Sequence, residues 1–175
     1  GLPYPGGPAI ARAAKDGDKF KYHLPDAKLK HPYDFSFSGL KTAVLRAVQK
    51  EVGVSYDFPS FKLKDKLKTS EINDFAASFQ YTATKTLVTK TVKAYNEFQP
   101  KSVVIAGGVA ANQELREQLK AALPIDIDYA PISLCTDNAA MIATLGYYKF
   151  MNGKVTDPYE LEVIPSISME KTKWK

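Results

Sequence analysis

Ser102-Val103-Val104-Ile105-Ala106-Gly107-Gly108-Val109-Ala110-Ala111-Asn112 reads as a strand, a glycine hinge and a helix start. Val103, Val104 and Ile105 form an apolar, β-branched run without polar alternation, which predicts a strand covered on both faces. Gly107 and Gly108 permit a sharp turn and a close approach of another group to the backbone. Asn112 is a suitable N-cap, and a helix is predicted to continue through residues 114–122. A loop at the carboxyl end of a parallel strand, feeding a helix N-terminus, is where open α/β sheets hold phosphates and nucleotides. A glycine pair also suits a plain tight turn, so this spacing alone leaves both readings open.

The flanks of this stretch decide what kind of sheet it belongs to. On its amino-terminal side, Ile72, Phe75, Ala76, Phe79, Ala83, Leu87, Thr91 and Ala94 recur near the helical period. They predict a long helix from Thr69, with Ser70 as cap before Glu71, ending by Phe98-Gln99-Pro100. On the carboxyl side Pro124 breaks the chain, and Ile125 to Ala130 alternates as a second strand. Helix, short turn and buried strand in this order are a crossover unit, which predicts a parallel or mixed sheet in an α/β fold.

Further along, Cys135-Thr136-Asp137-Asn138-Ala139-Ala140-Met141-Ile142-Ala143 predicts another helix, capped by Thr136 or Asp137. Its small face of Ala139, Ala140, Ala143 and Gly146 permits close packing, and it is expected to end near Asn152-Gly153. A carboxylate at such a start is a cap or a hard-oxygen metal ligand, and one carboxylate cannot hold a metal alone. The tail, Thr172-Lys173-Trp174-Lys175, is expected to fray.

The amino-terminal third is richer in turns. Gly1-Leu2-Pro3-Tyr4-Pro5-Gly6-Gly7-Pro8 is loop chemistry, and Pro8 suits the first turn of a short helix over residues 9–15. Phe20, Tyr22 and Leu24 alternate with Lys21 and His23, which predicts a half-exposed strand. Phe35 and Phe37 alternate with serines in the same way, and Ser38 is placed to cap a helix whose apolar face is Leu40, Val44, Leu45 and Val48. Lys41 falls in that helix's first turn, where the macrodipole disfavours a cation, so it either faces an anion or is simply solvated. Residues 53–68 read as a connector whose Lys62, Lys64, Lys66 and Lys68 are broken only by Asp65. That cluster is either a solvated face or a phosphate-contacting patch.

Composition narrows the class. A chain of 175 residues, 45% hydrophobic and 25% charged, suits one soluble globular domain or two small lobes. Its single cysteine, Cys135, excludes an internal disulfide and fits a reducing, cytoplasmic compartment. No apolar run is long enough for a membrane span. The chain begins at Gly1 without a methionine, as a segment or processed product would. The formal charge of +5 is compatible with an anionic partner. His23 and His31 are the only histidines and, eight apart, do not make a metal pair on one helix face.

Four motifs together resemble one family. Tyr4-Pro5-Gly6-Gly7-Pro8, Asp34-Phe35-Ser36-Phe37-Ser38-Gly39-Leu40-Lys41-Thr42, Gly107-Gly108-Val109-Ala110-Ala111-Asn112 and Cys135 to Ala143 stand in the order and approximate spacing seen in the TsaD family. These are tRNA adenosine threonylcarbamoyltransferases, formerly called O-sialoglycoprotein endopeptidases or Gcp glycoproteases. The resemblance runs from Gly1 to about Gly153 and covers the family's carboxyl-terminal half. It implies an actin-like ATPase (ASKHA, ribonuclease H-like) fold, a mixed sheet flanked by helices, of which this chain is the carboxyl-terminal lobe over residues 1–153. Residues 154–175 are then a tail. The family's His-x-x-x-His metal motif belongs to the other half and is absent from this sequence.

The resemblance also implies roles. Gly7 looks like a backbone contact to an adenylate substrate, and Asn112 like a side-chain contact to the same ligand. Gly107 and Gly108 would let the backbone approach the nucleotide, and Ser38 and Lys41 would line the cleft. Asp137 looks like the carboxylate ligand of one divalent metal, iron or else zinc, completed by histidines outside this chain. The implied reaction moves the threonylcarbamoyl group of threonylcarbamoyl-AMP to N6 of the adenosine 3′ to a tRNA anticodon. Implied partners are tRNA, threonylcarbamoyl-AMP and further subunits of the modification complex, with no membrane. No residue resembles an activated nucleophile, and Cys135, with no histidine beside it in sequence, is expected to be buried as a small hydrophobe. A non-catalytic scaffold of the same fold, or an actin-like ATPase or kinase, is the alternative reading.

Overall fold

The structure is a computed structural model that describes residues 1–26 and 29–162. It divides into two units, Gly1–Thr136 and Asp137–Lys175. In the first unit the helices are α1 (Gly6–Ala13), α2 (Ser38–Glu51), α3 (Thr69–Phe98) and α4 (Gln113–Ala122). The strands are β1 (Val103–Ile105) and β2 (Ile127–Tyr129). They pair in parallel, Val103 opposite Ile127 and Ile105 opposite Tyr129, with α4 as the crossover. The parallel pairing is as expected, but the helix that crosses between the two strands is α4, not the long α3 that precedes β1.

Two apolar clusters hold this unit together. Val88 of α3 and Leu115, Leu119 and Leu123 of and just after α4 are buried, with Val103, Ile105 and Ile127 packed on them. Each such leucine contributes about 1.5–3 kcal/mol on burial. The second cluster is Val48, Leu63 and Phe75, ringed by Tyr22, Val44, Leu45, Phe58 and Leu67. The long helix α3 supplies both.

The strand was expected to be covered on both faces, and it is not. Val104 is 66% exposed, because the helices of this unit cover only the face carrying Val103 and Ile105. Two further expected strands are absent. At residues 20–24 the alternating aromatics pack on α3 instead of pairing with a neighbour: Tyr22 stacks on Phe75 at 3.7 Å and Phe20 meets Tyr81 edge-on at 5.2 Å. The Tyr22 amide donates to Ser78 Oγ, which in turn donates to the Asp18 carbonyl. Residues 35–37 are irregular, with Phe35 and Phe37 leaning on each other at 5.9 Å.

Two caps also differ from expectation. Ser38 is the first residue of α2 rather than its cap, and its amide donates to Ser36 Oγ. Ser70 lies inside α3. There the Glu71 carboxylate accepts from the Lys68 amide at 2.7 Å, so the acidic residue of the motif does the capping.

In the second unit α5 spans Ala139–Met151. Asn138, not Thr136 or Asp137, is its N-cap, with Oδ1 accepting from the Met141 amide at 3.1 Å. The chain leaves α5 through Gly153, whose φ of 69° is the left-handed conformation that glycine adopts without strain. No residue of α5 is buried. The expected fraying of residues 172–175 lies outside the described residues. Among those described, no helix is long and apolar enough to cross a membrane.

Candidate functional site

The glycine-rich start of α1 and the hinge after β1 are brought to one cavity. It has a volume of about 860 Å³, and Gly7, Gly108 and Asn112 line it. Gly7 lies in the first turn of α1, where backbone N–H groups have no partner within the helix. Pro8, which has no N–H, costs nothing there. A Cβ placed on Gly7 or Gly108 would meet no atom within 4 Å, and neither has a positive φ. Among the described residues neither packing nor backbone geometry therefore demands glycine at either position; both leave the backbone open to whatever enters the cavity.

Gly107 is glycine for a different reason. Its φ of 84° lies where a side chain is strained, and its carbonyl accepts from the Ala110 amide at 3.0 Å to close the turn Gly108–Ala111. Arg116 of α4 holds that turn from behind. Its Nε donates to the Ala110 carbonyl at 2.6 Å, its Nη2 donates to the Ala130 carbonyl at 3.3 Å, and its guanidinium stacks 4.0 Å over the Tyr129 ring.

Asn112 is the N-cap of α4, as expected. Its Oδ1 accepts from the Leu115 amide at 3.0 Å and its Nδ2 donates to Gln80 Oε1 at 3.0 Å. A carboxamide has two donor hydrogens and two acceptor lone pairs, so one of each stays available at the cavity wall. Gln80 also lines the cavity, and α3 thereby fixes the Asn112 side chain.

The position of α1 depends on Gly17. A Cβ there would overlap the Asn73 carbonyl of α3, so the end of the α1 segment lies directly on the α3 backbone. Asp18 then bonds through its amide to Asp74 Oδ1 at 2.8 Å. These contacts bring Gly7 to the same cavity as Asn112.

The sequence reading missed Arg12, Lys15 and Gln80. Pro8, Ala11, Arg12 and Lys15 all line the cavity and follow the i, i+3, i+4, i+7 spacing of one helix face, so α1's contribution was readable once Gly7 had been singled out. Arg12 and Lys15 are exposed and bring positive charge to the wall, which also carries the carboxylates of Glu117 and of Glu114, the latter paired with Lys19 at 3.2 Å. Ser38 and Lys41 stand apart from these residues: Lys41 lines a separate apolar groove with Val44, Leu63 and Phe75, and Ser38 lines neither.

Cys135 is buried, as expected, and receives a bond from Arg116 Nη2 at 3.5 Å. Asp137 is exposed at the start of the second unit. Among the described residues no three His, Cys, Asp or Glu side chains are grouped to hold a metal ion. The described residues by themselves do not supply a ligand set for iron or zinc, which take three or four donors.

The TsaD family, tRNA N6-adenosine threonylcarbamoyltransferase, matches residues 1–144. The chain belongs to this family. A tRNA N6-adenosine threonylcarbamoyltransferase of Dehalococcoides mccartyi is 44% identical over 97% of this chain and 46% of its own length. Its counterpart in Symbiobacterium thermophilum is 45% identical over 97% of this chain and 46% of its own length. That of Caldicellulosiruptor saccharolyticus is 44% identical over 99% of this chain and 48% of its own length. The chain thus spans about half the length of the curated relatives it matches, and the match is to the family's carboxyl-terminal half.

Proposed function

We propose that this chain is the carboxyl-terminal lobe of a transferase that moves the threonylcarbamoyl group of threonylcarbamoyl-AMP to N6 of the adenosine 3′ to the anticodon in tRNA. The lobe comprises residues 1–153, with residues 154–175 as a tail, and belongs to the actin-like ATPase (ASKHA) fold. The convergence of Gly7, Gly108 and Asn112 on one cavity carries this reading. Two of the four sequence motifs, some hundred residues apart, meet there.

The free first-turn amides of α1 bind the adenylate, together with the spare carboxamide hydrogen and lone pair of Asn112. Gly107 sets the turn and Gly108 keeps it low, so that the nucleotide can lie against the backbone. Ser38 and Lys41 contribute to the cleft at a greater remove. In the reaction the N6 lone pair attacks the carbamoyl carbon, the bond from that carbon to the phosphate oxygen breaks, and AMP departs as N6 loses a proton. The amine is a weak nucleophile because its lone pair is delocalised into the ring. The lobe's contribution is therefore to hold the acyl donor in an attack geometry, an effect worth up to about 7–11 kcal/mol in favourable cases.

Asp137 is proposed as one carboxylate ligand of a single divalent metal, iron or zinc, with the remaining ligands from outside this chain. The partners are tRNA and further subunits of the modification complex, in the cytoplasm. A modification assay on tRNA with the complete protein, read by nucleoside mass spectrometry, tests the function. Gly7→Leu should abolish product while leaving the fold intact, since a Cβ there meets no atom within 4 Å and Gly7 lines the cavity. Undiminished product from a folded Gly7→Leu protein would refute the site.

A further inference from the structure

We propose that the connector between α2 and α3, with the adjoining face of α2, is an RNA-binding surface that takes phosphates on Lys62, Lys64 and Lys66 and an unpaired base on Phe61. The inference rests on the reading of the substrate as tRNA and adds where the lobe holds it.

Charge is the first observation. Residues 41–68 carry seven of the chain's lysines and arginines against three carboxylates, Glu51, Asp57 and Asp65, which is four of its five net positive charges in 28 residues. Among the described residues the only ion pairs are Lys19 with Glu114 and Lys21 with Asp74, so none of these seven cations is neutralised by a partner. Unpaired lysines clustered on a surface are what phosphate neutralisation requires.

The second observation is aromatic. Tyr56 and Phe61 are 61% and 71% exposed, although neither belongs to the core. Arg46 lies 4.6 Å over the Tyr56 ring, Lys62 5.9 Å from the Phe61 ring centre and Lys66 5.4 Å from that of Phe58. Exposed rings interleaved with cations form the stacking platform and charged track that single-stranded nucleic acids use.

The third is rigidity. A solvated lysine loop needs no fixed shape, yet this one is clamped. Gln49 of α2, only 1% exposed, donates through Nε2 to the carbonyls of Tyr56 at 3.1 Å and Phe58 at 3.3 Å. Arg46 Nη1 adds a bond to the same Tyr56 carbonyl at 2.9 Å. Within the short helix Ser60–Lys66 only Leu63 is buried, anchored against Val48 and Phe75, while Phe61, Lys62, Lys64 and Lys66 are exposed. A preorganised surface loses little entropy on binding.

The test uses the complete protein carrying this sequence and fluorescently labelled tRNA, with affinity measured across a potassium chloride series. Lys62→Ala/Lys64→Ala/Lys66→Ala should weaken binding by about tenfold or more and flatten the log K against log salt slope by about 2–3. A charge-matched control, Lys85→Ala/Lys101→Ala/Lys120→Ala, should change both far less. Phe61→Ala should weaken binding of a single-stranded anticodon-loop RNA by about fivefold or more without changing the slope. If the triple variant does not fold, Lys62→Glu and Lys66→Glu made singly give the same reading. Parent-like affinity and slope in the connector variants, an equal loss in the control, or no tRNA binding by the parent would each overturn the proposal. Adenylate binding, titrated separately, keeps the two readings apart. Adenylate bound with the connector irrelevant to tRNA refutes the surface alone; tRNA held by the connector with no adenylate bound supports the surface and refutes the adenylate site.

Discussion

Replacing Asn112 separates its observed role as the cap of α4 from the adenylate contact proposed for the same side chain. Asn112→Ala removes the cap bond to the Leu115 amide and the bond to Gln80. A lost cap costs about 1 kcal/mol and a lost neutral hydrogen bond about another 1 kcal/mol, so stability should fall by about 1–3 kcal/mol. Asn112→Asp behaves differently. Asp caps as well as Asn, and Gln80 can rotate its amide to donate where it had accepted, so stability should stay within about 0.5 kcal/mol of the parent. Aspartate nevertheless places a negative charge and no donor at the wall of the cavity. If the cavity takes an adenylate, both variants should bind it more weakly by about 1–3 kcal/mol, a five- to 150-fold rise in Kd. Urea denaturation gives the stabilities, and calorimetric titration with AMP or a stable threonylcarbamoyl-AMP analogue gives the affinities. An Asn112→Asp protein that is stable and binds the adenylate as tightly as the parent would refute the contact and leave Asn112 as a cap only.

Three other outcomes follow from particular contacts. Gly17→Ala should destabilise the protein by about 1–3 kcal/mol in thermal or urea unfolding and weaken adenylate binding as well, because the added methyl must push the α1 segment off Asn73. Asp137→Asn should leave the metal-free protein's melting temperature nearly unchanged, since Asn138 caps α5, while metal content by mass spectrometry and tRNA modification both fall; unchanged metal occupancy would remove Asp137 from the ligand set. Burial, and after it the Glu51 carboxylate, push the Tyr22 hydroxyl up to about 12 from 10. The folded state thus favours the protonated phenol, so its contribution is complete below pH 10 and is lost as pH rises towards 12; Tyr22→Phe should flatten stability measured across that window.

The parts of the fold that read correctly from sequence are those whose signal is local. The period of Ile72, Phe75, Phe79 and Leu87 marked α3, and Val103 to Asn112 marked strand, hinge and cap in order. The failures concern what each segment packs against. Phe20, Tyr22 and Leu24 alternate as a strand would, but α3 offers the aromatics a packing surface and no strand among the described residues lies beside them, so rings stack where ladders were expected. Val103 to Ile105 looks like a fully covered strand, yet this unit contributes helices to one face only. Among neighbouring polar residues the cap fell to Asn138 rather than Asp137 and to Glu71 rather than Ser70, a choice set by backbone geometry over one or two residues. In the candidate site, Gly7 and Asn112 stood out by motif. Arg12 and Gln80 did not, because an arginine on a helix face and a glutamine mid-helix are ordinary residues until tertiary structure places them on one cavity. Among the described residues nothing around the exposed Asp137 distinguishes a ligand from a solvated carboxylate.

The most direct test of the central claim is a crystal structure of the complete protein with a stable threonylcarbamoyl-AMP analogue. The adenylate is expected in the cavity between α1 and the hinge after β1, with hydrogen bonds from the Gly7 region of the backbone and from the Asn112 side chain, and the nucleotide lying against Gly107 and Gly108. An adenylate bound elsewhere, with that cavity holding only water and Asn112 bonded as it is here, would contradict it.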